Sequence, residues 1–304
     1  MKVWRIHLKN DETKNDHDRA KLKKMCLDER IIGVGWSKIT TREDSEDKIR
    51  KQAQENYDGN NAQAGLRAVN TMRKMRIGDL IWTRLDSSSY YLCRVTRLWK
   101  DQFPTRKHDE YDISNHVGVE WLEIGMEQNV PGKVLSSFRP NSSAQAINGV
   151  EDISMYIWNK YSGKKTYQNI NTKFDIWTIL SPEDIEELVI LYLQFEKEYR
   201  IYSSTMKATF PVYECQMVNK DGYHAYPQVK TGNEILKADD YMIAFEKDPG
   251  SEVFLFATSQ RYVKNNDKRI KYLTTEEIEN FARENINILP YRTRLSLELT
   301  GILN

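Results

Sequence analysis

Short apolar runs of strand length alternate with polar punctuation through the first half of the chain. "KVWRIHL" comes first, a charged stretch follows, and "RIIGVGWSKIT" resumes the pattern with Gly33 and Gly35 set inside it. Glycine within a strand marks close approach of another backbone or of a ligand. Residues 43–76 have the spacing of two helical segments broken around "YDGNN". "RIGDLIWTRLDSSSYYLCRVTRLWK" predicts a strand, a turn at "DSSS" and a second strand. "VGVEWLEI" is another strand, and "PGKVLSSFRPNSSAQAI" reads as loop with a short helix. Several short strands with few long helices predict a small β-barrel with helices.

Residues 162–173, "SGKKTYQNINTK", hold almost nothing apolar and read as the joint between two domains, 1–165 and 172–304. "FDIWTIL" then predicts a strand. In "SPEDIEELVILYLQFEKEYRI", Ser181 can cap a helix, Pro182 suits its first position, and Asp184 completes a serine-x-x-acid box. Ile185, Leu188, Val189, Tyr192 and Phe195 fall on one face of that helix. "FPVYECQMV" and "YHAYPQVKTG" predict the strands of a hairpin that turns at "NKDG". A helix around 238–247, the strand "SEVFLFATS" and the helix "TTEEIENFAREN" complete a mixed α/β domain.

Composition narrows the class. With 304 residues, 39% hydrophobic and 29% charged, the chain has the make-up of a globular protein of two ordinary domains. No apolar run approaches the roughly 20 residues that a membrane helix needs. The first residues lack the apolar core of a secretory signal, and three cysteines without a CxxC pair give neither a disulfide framework nor a structural zinc site. The expected compartment is the cytoplasm. Residues 1–165 carry 29 basic and 23 acidic side chains, whereas the remainder carries 16 and 21. Within 67–107, ten basic side chains stand against three acidic ones, among Trp82, Tyr90, Tyr91, Trp99 and Phe103. Such a mixture suits a polyanion that also offers flat rings, and a solvated basic face over an aromatic core gives the same letters.

The segment "AYPQVKTG" puts Gln228 and Lys230 on one face of a strand, because side chains alternate along it. Hydrolysis of a phosphodiester at neutral pH needs a cation held by oxygen ligands on a rigid support. A hairpin supplies them as the Glu214 carboxylate, the Gln228 amide oxygen and the Val229 backbone carbonyl, with Mg2+ or Mn2+ as the cation. Lys230 beside them can orient water or neutralise charge on the phosphate. Glu186, nearer than Glu187 to the margin of the apolar helix face, can reach in through a further water.

"LSPEDIEELV", "YECQMV", "QVKTG" and "VFLFATS", in that order, resemble the Mrr-like branch of the PD-(D/E)xK nuclease superfamily. That branch commonly carries glutamine where the signature has its last acid, as Gln228 does here. The resemblance implies a magnesium-dependent DNA endonuclease with Glu186, Glu214, Gln228 and Lys230 as active-site residues. The central acid of the family is usually aspartate, and Glu214 is one methylene longer. "RIIGVGWSKIT", "MRIGDLIWTR", "YYLCRVTRLW" and "VGVEWLEI" resemble the EVE-like members of the PUA superfamily, which are often fused to such nucleases. That resemblance implies a small barrel taking an extruded modified base into an aromatic pocket, where stacking rewards the flipped ring. Trp36, Trp82 and Trp121 are the candidates for the pocket, and Arg84, Arg94 and Arg97 for backbone phosphates.

Together the two halves imply a restriction-like defence endonuclease. Its expected partners are modified DNA, with RNA as an alternative, and a second copy of the chain. The competing reading is a nucleic-acid sensor whose nuclease fold has lost its chemistry, which Glu214 and the acidic second half both favour. No GxxxxGK[ST] loop is present, so any driven translocation belongs to another protein.

Overall fold

A computed structural model describes residues 1–8, 16–85, 89–171, 175–206 and 213–299 of the chain. The chain divides into two compact units, Met1–Phe174 and Asp175–Asn304. No helix among the described residues is long and apolar enough to cross a membrane. The architecture is mixed α and β, and the first unit carries a curled sheet in the form of a half-barrel.

Six strands build that sheet: β1 (Val3–Ile6), β2 (Ile31–Val34), β3 (Leu80–Arg84), β4 (Tyr90–Arg97), β5 (Asn115–Gly125) and β6 (Ala144–Ala146). Their order is β2-β5-β4-β3-β1-β6, so β2 and β6 are edges and the sheet stays open where a small β-barrel is expected. Every pair is antiparallel except β1 with β3. Six helices accompany it: α1 (Asp16–Glu29), α2 (Glu46–Asn56), α3 (Gly59–Lys74), α4 (Arg106–Glu110), α5 (Gly132–Ser136) and α6 (Glu151–Ser162). Helices α2 and α3 are the two predicted segments. Ser45 caps the first through the Lys48 N–H, and extended backbone at Tyr57 and Asp58 separates them. Leu66, Val69 and Met72 of α3 pack with Ile6, Ile32, Ile81, Cys93 and Val117 into one core. Residue 33 must be glycine because a Cβ there would lie 2.6 Å from the Asn115 carbonyl on the neighbouring strand.

The segment 162–173 is not a free joint. Asn159 in α6 accepts from the Tyr167 N–H and donates to its carbonyl, and the Tyr167 hydroxyl donates to the Gly78 carbonyl at 2.6 Å. The first unit therefore runs beyond residue 165. The predicted "DSSS" turn falls largely on residues 86–88, outside the described residues.

A histidine pair is buried under α1. His108 accepts the Thr105 N–H at Nδ1, so its Nε2 carries the proton donated to Glu29 at 2.7 Å. The His116 ring stands 4.6 Å from it, edge-on, with Nδ1 donating to the Ile113 carbonyl. Burial first, then the His108 ring and Arg42, pull His116 from 6.5 down to about 4, against the opposing pull of the Ile113 carbonyl and Glu29. A histidine held neutral in the fold contributes stability fully above its unfolded value and loses it as pH falls toward the folded one. The first unit is expected to lose on the order of 3 kcal/mol between pH 6.5 and 4 from this group. His116→Gln should flatten that slope in urea titrations read at both pH values, and an unchanged slope would assign the acid sensitivity elsewhere.

In the second unit, α7 (Ile176–Ile179) and α8 (Pro182–Phe195) precede β7 (Arg200–Ile201), β8 (Met217–Val218) and β9 (His224–Lys230). Then come β10 (Leu236–Lys237), α9 (Ile243–Lys247), β11 (Glu252–Ala257), β12 (Tyr262–Val263), β13 (Ile270–Leu273), α10 (Thr275–Glu284) and α11 (Tyr291–Leu299). The main sheet has the order β13-β11-β9-β8-β7, parallel from β13 to β9 and antiparallel beyond; β10 and β12 pair separately. "FDIWTIL" is thus not a strand. The Asp175 side chain accepts the Trp177 N–H and starts a short helix that buries Ile176 and Ile179 three residues apart.

Helix α8 is fixed by the box read from its letters. Ser181 and Asp184 cap reciprocally, and the buried Asp184 carboxylate also accepts the Arg292 Nε at 2.7 Å. Ile185, Leu188, Val189 and Tyr192 are buried, whereas Phe195 is exposed. Strand β11 is apolar on both faces. Phe254 and Phe256 meet α8 and α10, while Val253 and Leu255 meet Tyr241 and Phe245 on the opposite side. This two-sided burial is what a central parallel strand requires.

Candidate functional site

The second unit opens a gap in its own sheet at Pro227. The ladder between β8 and β9 ends with the pair Met217 and Ala225. Pro227 has no N–H to continue it, so the chain before β8 leaves the regular ladder, although the Glu214 N–H still donates to the Pro227 carbonyl at 3.0 Å. The predicted strand "FPVYECQMV" is correspondingly shorter. Residues 207–212 lie outside the described residues, and Glu214 stands before β8 rather than on it.

The Glu214 carboxylate turns into the gap. Its Oε1 accepts the Val229 N–H at 3.3 Å, which no longer faces a β8 partner, and the Gln228 Nε2 at 2.7 Å. The same Nε2 donates to the Val229 carbonyl at 3.1 Å. Three of the predicted ligands therefore converge, and the buried Gln228 amide makes the bonds that bind them. Two acceptors fix the amide with nitrogen inward. Lys230 lies half-exposed two residues on, on the same face, with no ion-pair partner among the described residues.

Glu186 approaches from α8. Burial first, then Glu214 and then Glu186, push the buried Cys215 thiol up to about 12, so both carboxylates act on one side chain. Glu187 turns toward Asp184 and Arg292, where desolvation and then the Asp184 charge raise its carboxyl. Tyr241 also feels the Glu214 charge, and its carbonyl accepts the Tyr213 hydroxyl at 2.8 Å. The Tyr213 and Tyr226 rings meet at 5.0 Å between centroids, tilted by 42°. Tyr213, Tyr226 and Tyr241 carry no sequence signal for this place, and the fold brings them beside the gap.

The donor set suits a hard cation. One carboxylate, one amide oxygen and one backbone carbonyl are the oxygens that Mg2+ or Mn2+ takes while keeping water and substrate phosphate as its other ligands. The amide of Gln228 must turn over for its oxygen to join them. No group of three His, Cys, Asp or Glu side chains among the described residues forms a metal cluster.

In the first unit the three tryptophans part company. Trp82 is fully buried, with Nε1 donating to Ser154 of α6, and is a core residue rather than a pocket wall. Trp121 is half-buried against Tyr91 and lines a separate groove with Arg97. Trp36 lines a cavity of about 450 Å³ with Tyr57, Asn61, Asp112, His7 and Ser143. Its backbone is left-handed, at φ 61°, a conformation costly outside glycine. Asn115 holds it there by donating to the carbonyls of Gly35 and Trp36, while its own oxygen accepts the Trp99 Nε1. Asn115 has no sequence signal, because its partners are far away along the chain.

Gly65 on α3 gives the Trp36 ring its seat, since a Cβ there would lie 2.5 Å from Cδ1. Alanine in a helix is worth up to about 1 kcal/mol over glycine, but overpacking costs roughly 1–3 kcal/mol. Gly65→Ala should therefore destabilise the chain and move the Trp36 fluorescence. A stabilised variant with an unmoved spectrum would show that the ring has room to spare.

The three arginines are each engaged within the unit. Arg84 lies over the Phe138 ring, and half-buried Arg94 sits beside Tyr167 with its Nε unpartnered among the described residues. Arg97 donates to the carbonyls of Glu29 and Arg30 at the end of α1. No protein-family model, curated protein or solved structure matches this chain.

Proposed function

We propose that the second unit hydrolyses nucleic-acid phosphodiester bonds with Mg2+ or Mn2+, and that the first unit admits a modified base into the Trp36 cavity. The observation that carries the reading is the meeting of Glu214, Gln228 and the Val229 carbonyl where β8 leaves β9. Glu214, the Val229 carbonyl and a turned-over Gln228 amide would hold the cation, which would supply polarisation of the phosphoryl oxygen and a more acidic bound water. The chain's own contribution is position. Glu214 and the Val229 carbonyl are fixed by backbone geometry, Gln228 exchanges amide nitrogen for oxygen, and Lys230 sets a positive charge beside the reacting phosphate. The reading keeps the resemblance to Mrr-like PD-(D/E)xK nucleases and to EVE-like domains as its frame.

The Trp36 cavity supports the second half of the proposal. Its volume falls in the range of small-molecule sites, and Trp36 and Tyr57 offer ring faces while Asn61 and Asp112 offer polar edges. A second reading, binding without cleavage, rests on the Gln228 amide, which already satisfies Glu214 and the Val229 carbonyl without a cation. Incubation of unmodified and methylated plasmid, and of RNA, with the full chain and Mg2+ or Mn2+ separates the two. Metal-dependent cutting supports the nuclease; tight binding with intact substrate under every metal supports the sensor.

A further inference from the structure

Helix α3 has no acidic residue, and none appears from Gly59 through Gly78, a run that holds Arg67, Arg73, Lys74 and Arg76. Its outer stripe is Asn60, Gln63, Arg67, Thr71 and Lys74, exposed or half-exposed. At about 100° per residue these five fall within roughly 80° of arc. Asn60, Gln63, Arg67 and Lys74 can donate hydrogen bonds outward, the Thr71 hydroxyl already donates to the Arg67 carbonyl, and none carries negative charge.

The neighbouring cations behave differently. On α2 and just before it, Lys48 pairs with Glu43, Arg50 with Glu46 and Lys51 with Glu55. Arg73, on the flank of α3, pairs with Asp44 and Glu46. Arg67, Lys74 and Arg76 have no carboxylate partner among the described residues. The negative end of the helix dipole accounts for basic residues in the last turn. It accounts neither for Arg67 at mid-helix nor for Arg76 beyond the end.

Two concavities lie near the ends of α3. Asn61, the neighbour of Asn60 but about 100° round the helix from it, lines the Trp36 cavity, and Lys74 and Arg76 line a cleft of about 620 Å³ with Lys2 and Arg73. Two carboxylates also line that cleft, and both are occupied. Asp44 holds Arg73, and buried Asp79 accepts the Lys2 N–H, the Trp4 Nε1 and the Arg76 N–H. We infer that the exposed stripe of α3, ending at Arg76, is a phosphate track for one nucleic-acid strand whose base enters the Trp36 cavity. From Asn60 to Lys74 the helix rises about 21 Å, the axial length of roughly six base steps of duplex at 3.4 Å each. This inference rests on the proposed function of the first unit and replaces the strand arginines as its phosphate contacts.

The test is the salt dependence of binding by the full chain. The probes are a labelled 12-nucleotide DNA strand, the matching RNA and a 12-base-pair duplex. Arg67→Gln, Lys74→Gln and Arg76→Gln are measured singly and together, beside a Lys48→Gln/Lys51→Gln control. The slope of log affinity against log salt should fall by about two on single strands or three on duplex in the triple variant. Each single variant should give its share, so a poorly folded triple leaves the result readable. The control should keep the wild-type slope. An unchanged slope in all α3 variants, with salt-dependent wild-type binding, overturns the track and leaves the nucleic-acid reading standing. Wild type that binds none of the three probes overturns both.

Discussion

Replacing Lys230 by alanine is expected to lower the rate of Mg2+-dependent cleavage by roughly 10²–10³, the loss seen when one charge-stabilising group is removed. Affinity for the same DNA should stay within about twofold. The side chain is half-exposed near the end of β9 and holds no ion pair among the described residues, so its removal leaves no buried charge behind. Stability should change by less than about 0.5 kcal/mol, as for surface substitutions away from special features. A rate change on that scale, with folding and binding intact, must come from the chemical step. Single-turnover cleavage of a plasmid beside wild type checks it. Cutting at the wild-type rate would remove Lys230, and with it the shared face of Gln228 and Lys230, from the proposed site.

Legibility differed between the two kinds of feature for a physical reason. Helix α8 was open to reading because its start is written within four residues, Ser181 through Asp184, and its inner face recurs every three or four. The hairpin turn at "NKDG" is local in the same way. "FDIWTIL" misled because a short apolar run is equally a strand or a buried turn of helix, and the Asp175 cap decides. Trp36 and Trp82 have similar sequence surroundings. What separates them is Gly65 under one ring and Ser154 beside the other, both far along the chain. The chemistry of Glu214, Gln228 and Lys230 is legible in the letters, whereas the geometry of the gap is not. Pro227 opens it through the N–H it lacks, and that absence acts across the sheet rather than along the strand.

The same gap makes Gln228→Glu the sharper probe of whether a cation belongs there. In the wild type, the amide hydrogens of Gln228 join two oxygens, Glu214 Oε1 and the Val229 carbonyl, that would otherwise face each other. A carboxylate at that position sets three oxygens together with no proton between them. The introduced pair can relieve this by keeping one proton, which raises its folded titration above the unfolded carboxylate range. The folded state then binds more protons than the unfolded state, so stability is retained below that range and lost as pH rises through the raised value. Relative to wild type, the variant should be nearly as stable at pH 4 and lose on the order of 3 kcal/mol at pH 8 in chelator. Mg2+ should restore most of that loss, because binding to the folded state alone stabilises it by mass action, and the response should exceed that of the wild type. Thermal unfolding at both pH values, with chelator and with Mg2+, gives all four comparisons. A loss that ignores both pH and Mg2+ would mean that the three groups close on one another and hold no cation, as the sensor reading requires.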